Sequence, residues 1–208
     1  NIKSNFKFKY ILFLESFNNF DNFSILKKID NLIDSNKKFK NYKILYRPHP
    51  WQKKNNITIW EKQFRNLILD PQVKKNYLST NFSTSFQPNI DYYSSLIKNS
   101  EIVITGPTSM LIEASIFYKK TLLLGYKSKS STPYSEELRN FEHLEGIKKF
   151  SNIRIVVEES NLINDLLDTY NIKINKKKID KIRNYYLNYS GISYKNMLFS
   201  VTKKIIND

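Results

Sequence analysis

The chain has 208 residues, 40% hydrophobic and 14% aromatic, enough for one buried core and short for two full domains. It has no cysteine and two histidines, His49 and His143, which excludes disulfides, thiolate catalysis and a histidine-rich metal cage. A net charge of +15 raises nucleic acid as a partner, yet the lysines are spread among Asn, Ile, Phe and Tyr with no nucleic-acid-binding signature beside them. Compositional bias therefore accounts for them first, attraction to phosphorylated ligands or an anionic membrane surface second, and nucleic acid last.

Residues 10–14 (YILFL) follow a lysine-rich lead as a short apolar run, the pattern of a buried strand. Residues 21–35 carry Phe23, Leu26, Ile29 and Ile33 at helical spacing, with Asp21 or Asn22 as cap. The next strand, 42–46 (YKILY), is ended by Pro48 and Pro50, which cannot continue a central ladder. A third, 67–69, stops at Asp70-Pro71. Residues 91–99 read as a helix with Asp91 as cap, 102–105 as a strand, 107–118 as a helix and 121–124 as a strand. A strand over 153–157 and a helix over 160–170, with Leu162, Ile163, Leu166 and Leu167 on one face, come next. Helices over 176–189 and 193–206 close the chain.

Apolar strands alternating with amphipathic helices predict an α/β fold with a doubly wound, mostly parallel, Rossmann-like sheet. Residues 1–170 form that domain, and the C-terminal helices of 171–208 pack on it. Two segments, 51–59 and 126–150, carry no assignable element; the second is long for a compact domain, which marks it for function. No apolar run approaches the roughly 20 residues that span a bilayer. The start at Asn1 without a signal-peptide pattern reads as a piece of a longer, cytoplasmic protein.

Ligands of open parallel sheets bind beyond the carboxyl ends of the strands, and two unusual segments fall at such ends. In Arg47-Pro48-His49-Pro50, two prolines stiffen the backbone around an imidazole, beside an arginine fork suited to phosphate or carboxylate. The plainer alternative is a rigid turn with a solvent-exposed histidine. In Thr105-Gly106-Pro107-Thr108-Ser109, Gly106 is free in its backbone angles and Pro107 suits a first helical position, so a helix start with two hydroxyls, Thr108 and Ser109, would face an anion. Glu113 shares a helix face with Ser109 and is the sole charge in 107–118, placed to accept from a ribose diol. Alternatively, Thr105 only caps the helix and Glu113 points to water. Neither a P-loop nor a GxGxxG fingerprint is present. Glu142 and His143, in the long loop, could complete a pocket or lie at the surface.

The order of Arg47-Pro48-His49-Pro50, Asp91-Tyr92-Tyr93-Ser94-Ser95, and Thr105-Gly106-Pro107-Thr108-Ser109 with Glu113-Ala114 resembles the C-terminal domain of GT-B-type enzymes of bacterial surface and capsule polysaccharide synthesis. It is most similar to those related to Kdo and sialic acid transferases and CDP-glycerol glycerophosphotransferases. The resemblance implies a transferase acting from a CMP-, CDP- or UDP-linked donor onto a glycan or lipid-linked acceptor. It implies no cofactor and no metal. His49 with Arg47 would be catalytic, Gly106, Pro107, Thr108 and Ser109 would hold the donor phosphate, and Glu113 would hold the ribose. The catalytic base would lie in an N-terminal acceptor domain that this fragment lacks. Peripheral attachment to the inner face of the membrane is compatible with the charge, and nucleic acid is not expected. Two other functions stay open: a sugar-nucleotide epimerase of the same fold, and a non-catalytic basic module docking on membrane or nucleic acid.

Overall fold

The computed structural model describes residues 7–16, 20–49, 57–79, 89–127 and 146–187. Its strands are β1 (Lys9–Leu14), β2 (Tyr42–Arg47), β3 (Leu67–Leu69), β4 (Ile102–Thr105), β5 (Lys120–Leu124) and β6 (Ile153–Val156). Its helices are α1 (Asn22–Ser35), α2 (Ile57–Gln63), α3 (Pro71–Leu78), α4 (Ile90–Asn99), α5 (Met110–Ile116), α6 (Leu162–Asn171) and α7 (Lys176–Leu187). The strands form one sheet in the order β3-β2-β1-β4-β5-β6, and every pairing is parallel. The chain grows outward from β1 to β3, returns to the other flank of β1 with β4, and grows outward again to β6. This is the doubly wound, Rossmann-like arrangement, and its growth direction reverses between β1 and β4.

Strand alternation divides the core between the two faces of the sheet. Ile11, Phe13, Ile44, Tyr46, Ile102 and Ile104 pack with Ile25, Leu26 and Ile29 of α1 and Leu162 and Leu166 of α6. Tyr10, Leu12, Leu14, Leu45 and Val103 pack on the opposite face with Tyr92, Leu96 and Ile97 of α4 and Ala114 of α5. Cover on both faces is why the central strands read as unbroken apolar runs. Each fully buried Leu or Ile contributes roughly 1.5–3 kcal/mol of transfer free energy.

Most boundaries follow the apolar pattern, and the departures have local causes. Asp21 caps α1 by accepting from Ser24 N at 3.1 Å. Phe23 lies outside the α1 core stripe but meets the rings of Trp60 and Phe64, at 5.3 and 5.2 Å between centroids. Asp70-Pro71 ends β3 and also starts α3: the Asp70 carboxylate accepts from Gln72 N at 2.8 Å and Val73 N at 3.3 Å, with proline in the first turn. The expected cap role of Asp91 belongs instead to Asn89, whose side chain accepts from Tyr92 N at 3.0 Å; Asp91 lies in the first turn of α4. The helix expected over 107–118 shortens to Met110–Ile116. It ends where Tyr118 takes a positive φ of 54° and Lys119 N reaches back to Ala114 O at 3.0 Å. α7 packs through the buried Ile179, and its Asp180 accepts from Tyr118 OH at 2.7 Å. α2 begins inside the unassigned segment 51–59, while the helix expected over 193–206 lies outside the described residues.

Gly125 follows β5, where its N–H donates to Val156 O at 2.9 Å. A Cβ there would stand 2.6 Å from Ile155 Cγ2 and 3.2 Å from Val156 O. Gly125→Ala is therefore expected to destabilise the fold by about 1–3 kcal/mol, read as a lower urea midpoint at unchanged slope.

Candidate functional site

The register places Leu14, at the end of β1, opposite Arg47 of β2 on one side and Thr105 of β4 on the other. Two interstrand spacings, about 10 Å, therefore separate the ends of β2 and β4. The corner after Arg47 and the turn after Thr105 flank the end of β1 on one edge of the sheet. This is the switch point, where a crevice opens in doubly wound folds.

Arg47 follows Leu45 onto the α4 face of the sheet. Its guanidinium, expected from the sequence to meet an anionic ligand, is committed within the protein. Arg47 Nη1 donates to Asp70 Oδ2 at 2.6 Å, with the two side chains 8% and 0% exposed. The same guanidinium lies over the Tyr93 ring, 5.2 Å from its centroid. Asp70 Oδ1 accepts from Tyr92 OH at 3.3 Å. The Glu113 carboxylate of α5 is close enough that its charge, after burial, raises the Tyr93 hydroxyl above its usual value. A polar chain thus runs from the end of β3 through β2 to α4, with Glu113 beyond it. Among the described residues, Glu113 Oε2 is buried without a hydrogen bond, and so is Oγ1 of the fully buried Thr105. Each such atom costs about 1–3 kcal/mol until a polar group reaches it.

On the α1 face, Glu15 directly follows β1 and is 5% exposed. Its Oε1 accepts from Asn22 Nδ2 at 2.8 Å; its Oε2 accepts from Tyr46 OH at 2.6 Å and His49 N at 3.2 Å. Its own N–H donates to Arg47 O at 3.0 Å. Tyr77 OH of α3 donates to His49 O at 3.3 Å. The sequence reading passed over Glu15 because a single acid after an apolar strand forms no motif. The usable signal was position: it is the first charged residue beyond the carboxyl end of β1.

In the turn after β4, Gly106 and Pro107 are buried, Thr108 is half-buried and Ser109 is exposed. Pro107 precedes α5 rather than opening it. Ser109 is the N-cap residue of α5 but makes no side-chain cap bond; just before it, Thr108 Oγ1 accepts from Met110 N at 3.3 Å and the Thr108 carbonyl from Leu111 N at 3.1 Å. The structure thus gathers Arg47, His49, the 106–109 turn and Glu113 at one edge. Pro50, Glu142 and His143 lie outside the described residues.

The tyrosines of both clusters hold their protons firmly. Burial, then the Glu15 charge, pushes Tyr77 up to about 12 and Tyr46 well above its usual value. Burial with Asp70 does the same to Tyr92, and burial with Glu113 to Tyr93. All four are donors at neutral pH, as their carboxylate and carbonyl partners require.

No family model and no curated protein sequence matches the chain. Solved structures similar to it include one described as a UDP-N-acetylglucosamine 2-epimerase from Listeria monocytogenes, with TM-score 0.47 and 14% identity over 85% of this chain and 39% of that one. Another is the S. aureus MnaA–UDP complex, with TM-score 0.47 and 16% identity over 92% of this chain and 51% of that one. A third is the wall teichoic acid polymerase TagF with CDPG, with TM-score 0.35 and 16% identity over 86% and 41%. The chain therefore spans about two-fifths to about one half of those chains. Among the described residues, no helix is long and apolar enough to cross a membrane, and no group of three or more His, Cys, Asp or Glu could hold a metal ion.

Two outcomes are expected. Because the folded chain binds the tyrosine protons more tightly than the unfolded chain, their stabilisation is full below pH 10. It declines as pH rises from 10 towards 12. Urea midpoints measured from pH 8 to pH 11.5 should be flat and then fall. Arg47→Ala leaves the fully buried Asp70 without its cation, so a loss of about 3–5 kcal/mol is expected in the same assay.

Proposed function

We propose that this chain is the donor-binding half of a GT-B-type enzyme that transfers a sugar or polyol phosphate from a nucleotide-activated donor in surface polysaccharide synthesis. The observation that supports it most is the convergence at the β1/β4 switch point. The His49 corner, the 106–109 turn and the buried, unpartnered oxygens of Glu113 and Thr105 meet on one edge of a doubly wound sheet. A nucleotide-linked donor matches that set chemically. Its ribose hydroxyls donate to Glu113 Oε2. Its phosphate oxygens accept from the imidazole of His49 and from the hydroxyls of Thr108 and Ser109.

In this reading, the acceptor hydroxyl attacks the activated carbon or phosphorus while the leaving phosphate gathers negative charge. Donors fixed before the reaction stabilise that charge most effectively, and removing one typically costs about 3–4 kcal/mol of transition-state stabilisation. Arg47 acts beneath the site: its charge is balanced by Asp70, and its guanidinium braces the ring of Tyr93. The +15 charge of the chain favours the approach of an anionic donor. The catalytic base and the acceptor site belong to the other half of the enzyme.

The test is a thermal-shift panel of CMP, CDP, UDP and GDP against the chain. A bound nucleotide at a hundredfold excess over its Kd stabilises the fold by about 2.7 kcal/mol. One of the four should raise the Tm, and Glu113→Gln should remove most of that rise; no response to any of them overturns the proposal. In the complete enzyme, His49→Ala is expected to lower turnover by roughly 10²–10³-fold.

A further inference from the structure

We infer that Glu15 and Tyr77 are positioning residues that clamp the His49 corner from both sides. Among residues 48–50, His49 alone carries a backbone N–H, because its two neighbours are prolines. That donor is directed to Glu15 Oε2 at 3.2 Å, and the His49 carbonyl receives Tyr77 OH at 3.3 Å. Both polar groups of the His49 backbone are thus held by side chains from other elements, one beyond β1 and one on α3. β2 has already ended at Arg47, so no ladder requires either bond.

The holders are themselves fixed. Glu15 is almost fully buried, and a buried carboxylate is costly unless several donors meet it. Asn22 of α1 and Tyr46 of β2 supply two of these, at 2.8 and 2.6 Å. The Tyr46 ring is wedged between Trp60, stacked at 6.0 Å, and Phe13, edge-on at 5.7 Å. An apolar side chain at position 15 would fill this place without a charge to neutralise. What the carboxylate adds is a charge-assisted bond to the only N–H of the proline-flanked corner. The clamp therefore sets where the imidazole stands over the switch point. Its use for phosphate binding rests on the proposed function, whereas the clamp itself does not.

The chain's two histidines make the experiment direct. Ring resonances are recorded by NMR on the whole chain, with His143→Gln identifying those of His49. Tyr77→Phe, which removes one hydroxyl, and Glu15→Gln, which keeps shape and removes the charge, should each shift or broaden the His49 resonances and leave those of His143 in place. Unchanged His49 resonances in folded Tyr77→Phe overturn the clamp, whether or not Glu15→Gln folds. A second arm measures affinity for whichever nucleotide raises the Tm. Tyr77→Phe should weaken binding roughly 3- to 10-fold, and this loss should vanish in a His49→Ala background. An equal loss in both backgrounds overturns action through His49. If no nucleotide binds the wild-type chain, the proposed function fails and the NMR arm alone decides the clamp.

Discussion

The buried pair between Arg47 and Asp70 is the constraint around which this edge of the molecule is built. Two ions removed from water cost several kcal/mol each, and their attraction offsets this only when other hydrogen bonds complete their shells. Asp70 obtains them from two N–H groups of α3 and from Tyr92 OH. Arg47 obtains the face of Tyr93. The ends of β2 and β3, the start of α3 and the first turn of α4 are therefore held to one another by a single electrostatic requirement. None of them can move without exposing an unbalanced charge.

From that pair, the site extends in two directions because strand alternation sends neighbouring residues to opposite faces. Arg47 faces α4 and lies over the ring of Tyr93, whose hydroxyl is raised by burial and by the Glu113 charge on α5. Tyr46, one residue earlier, faces α1 and reaches Glu15 and the His49 corner. The ends of β2 and β4 flank the end of β1, where the strand order reverses. The elements there are joined by charged hydrogen bonds rather than by apolar contact alone.

The arginine illustrates how a strand-end residue can be engaged by a partner distant in sequence. Its sequence context, an arginine beside a His-Pro corner at a strand end, points to a ligand-facing fork. In the fold, the fork closes on Asp70. The Thr108 hydroxyl is likewise engaged within the protein, accepting from Met110 N at the start of the short helix that follows. Ser109, exposed beside it, keeps its side chain at the surface.

By itself the sequence determined the strands, the long helices and the parallel, doubly wound sheet, because hydrophobic periodicity and caps such as Asp21 act over a few residues and can be read along the chain. It also marked both strand-end segments, since proline and glycine leave local signatures. It did not show α3, because Asp70-Pro71 signals the end of a strand as strongly as the start of a helix. Nor did it show that α5 begins at Met110 or that Asn89 displaces Asp91 as cap, which depends on where neighbouring strands place the chain. Only the tertiary structure decided the partners of Glu15, Arg47, Tyr77 and Tyr93. Glu15 and His49 are 34 residues apart, and Arg47 and Asp70 are 23 apart. Such pairs are joined by sheet order and register, and no local propensity encodes them.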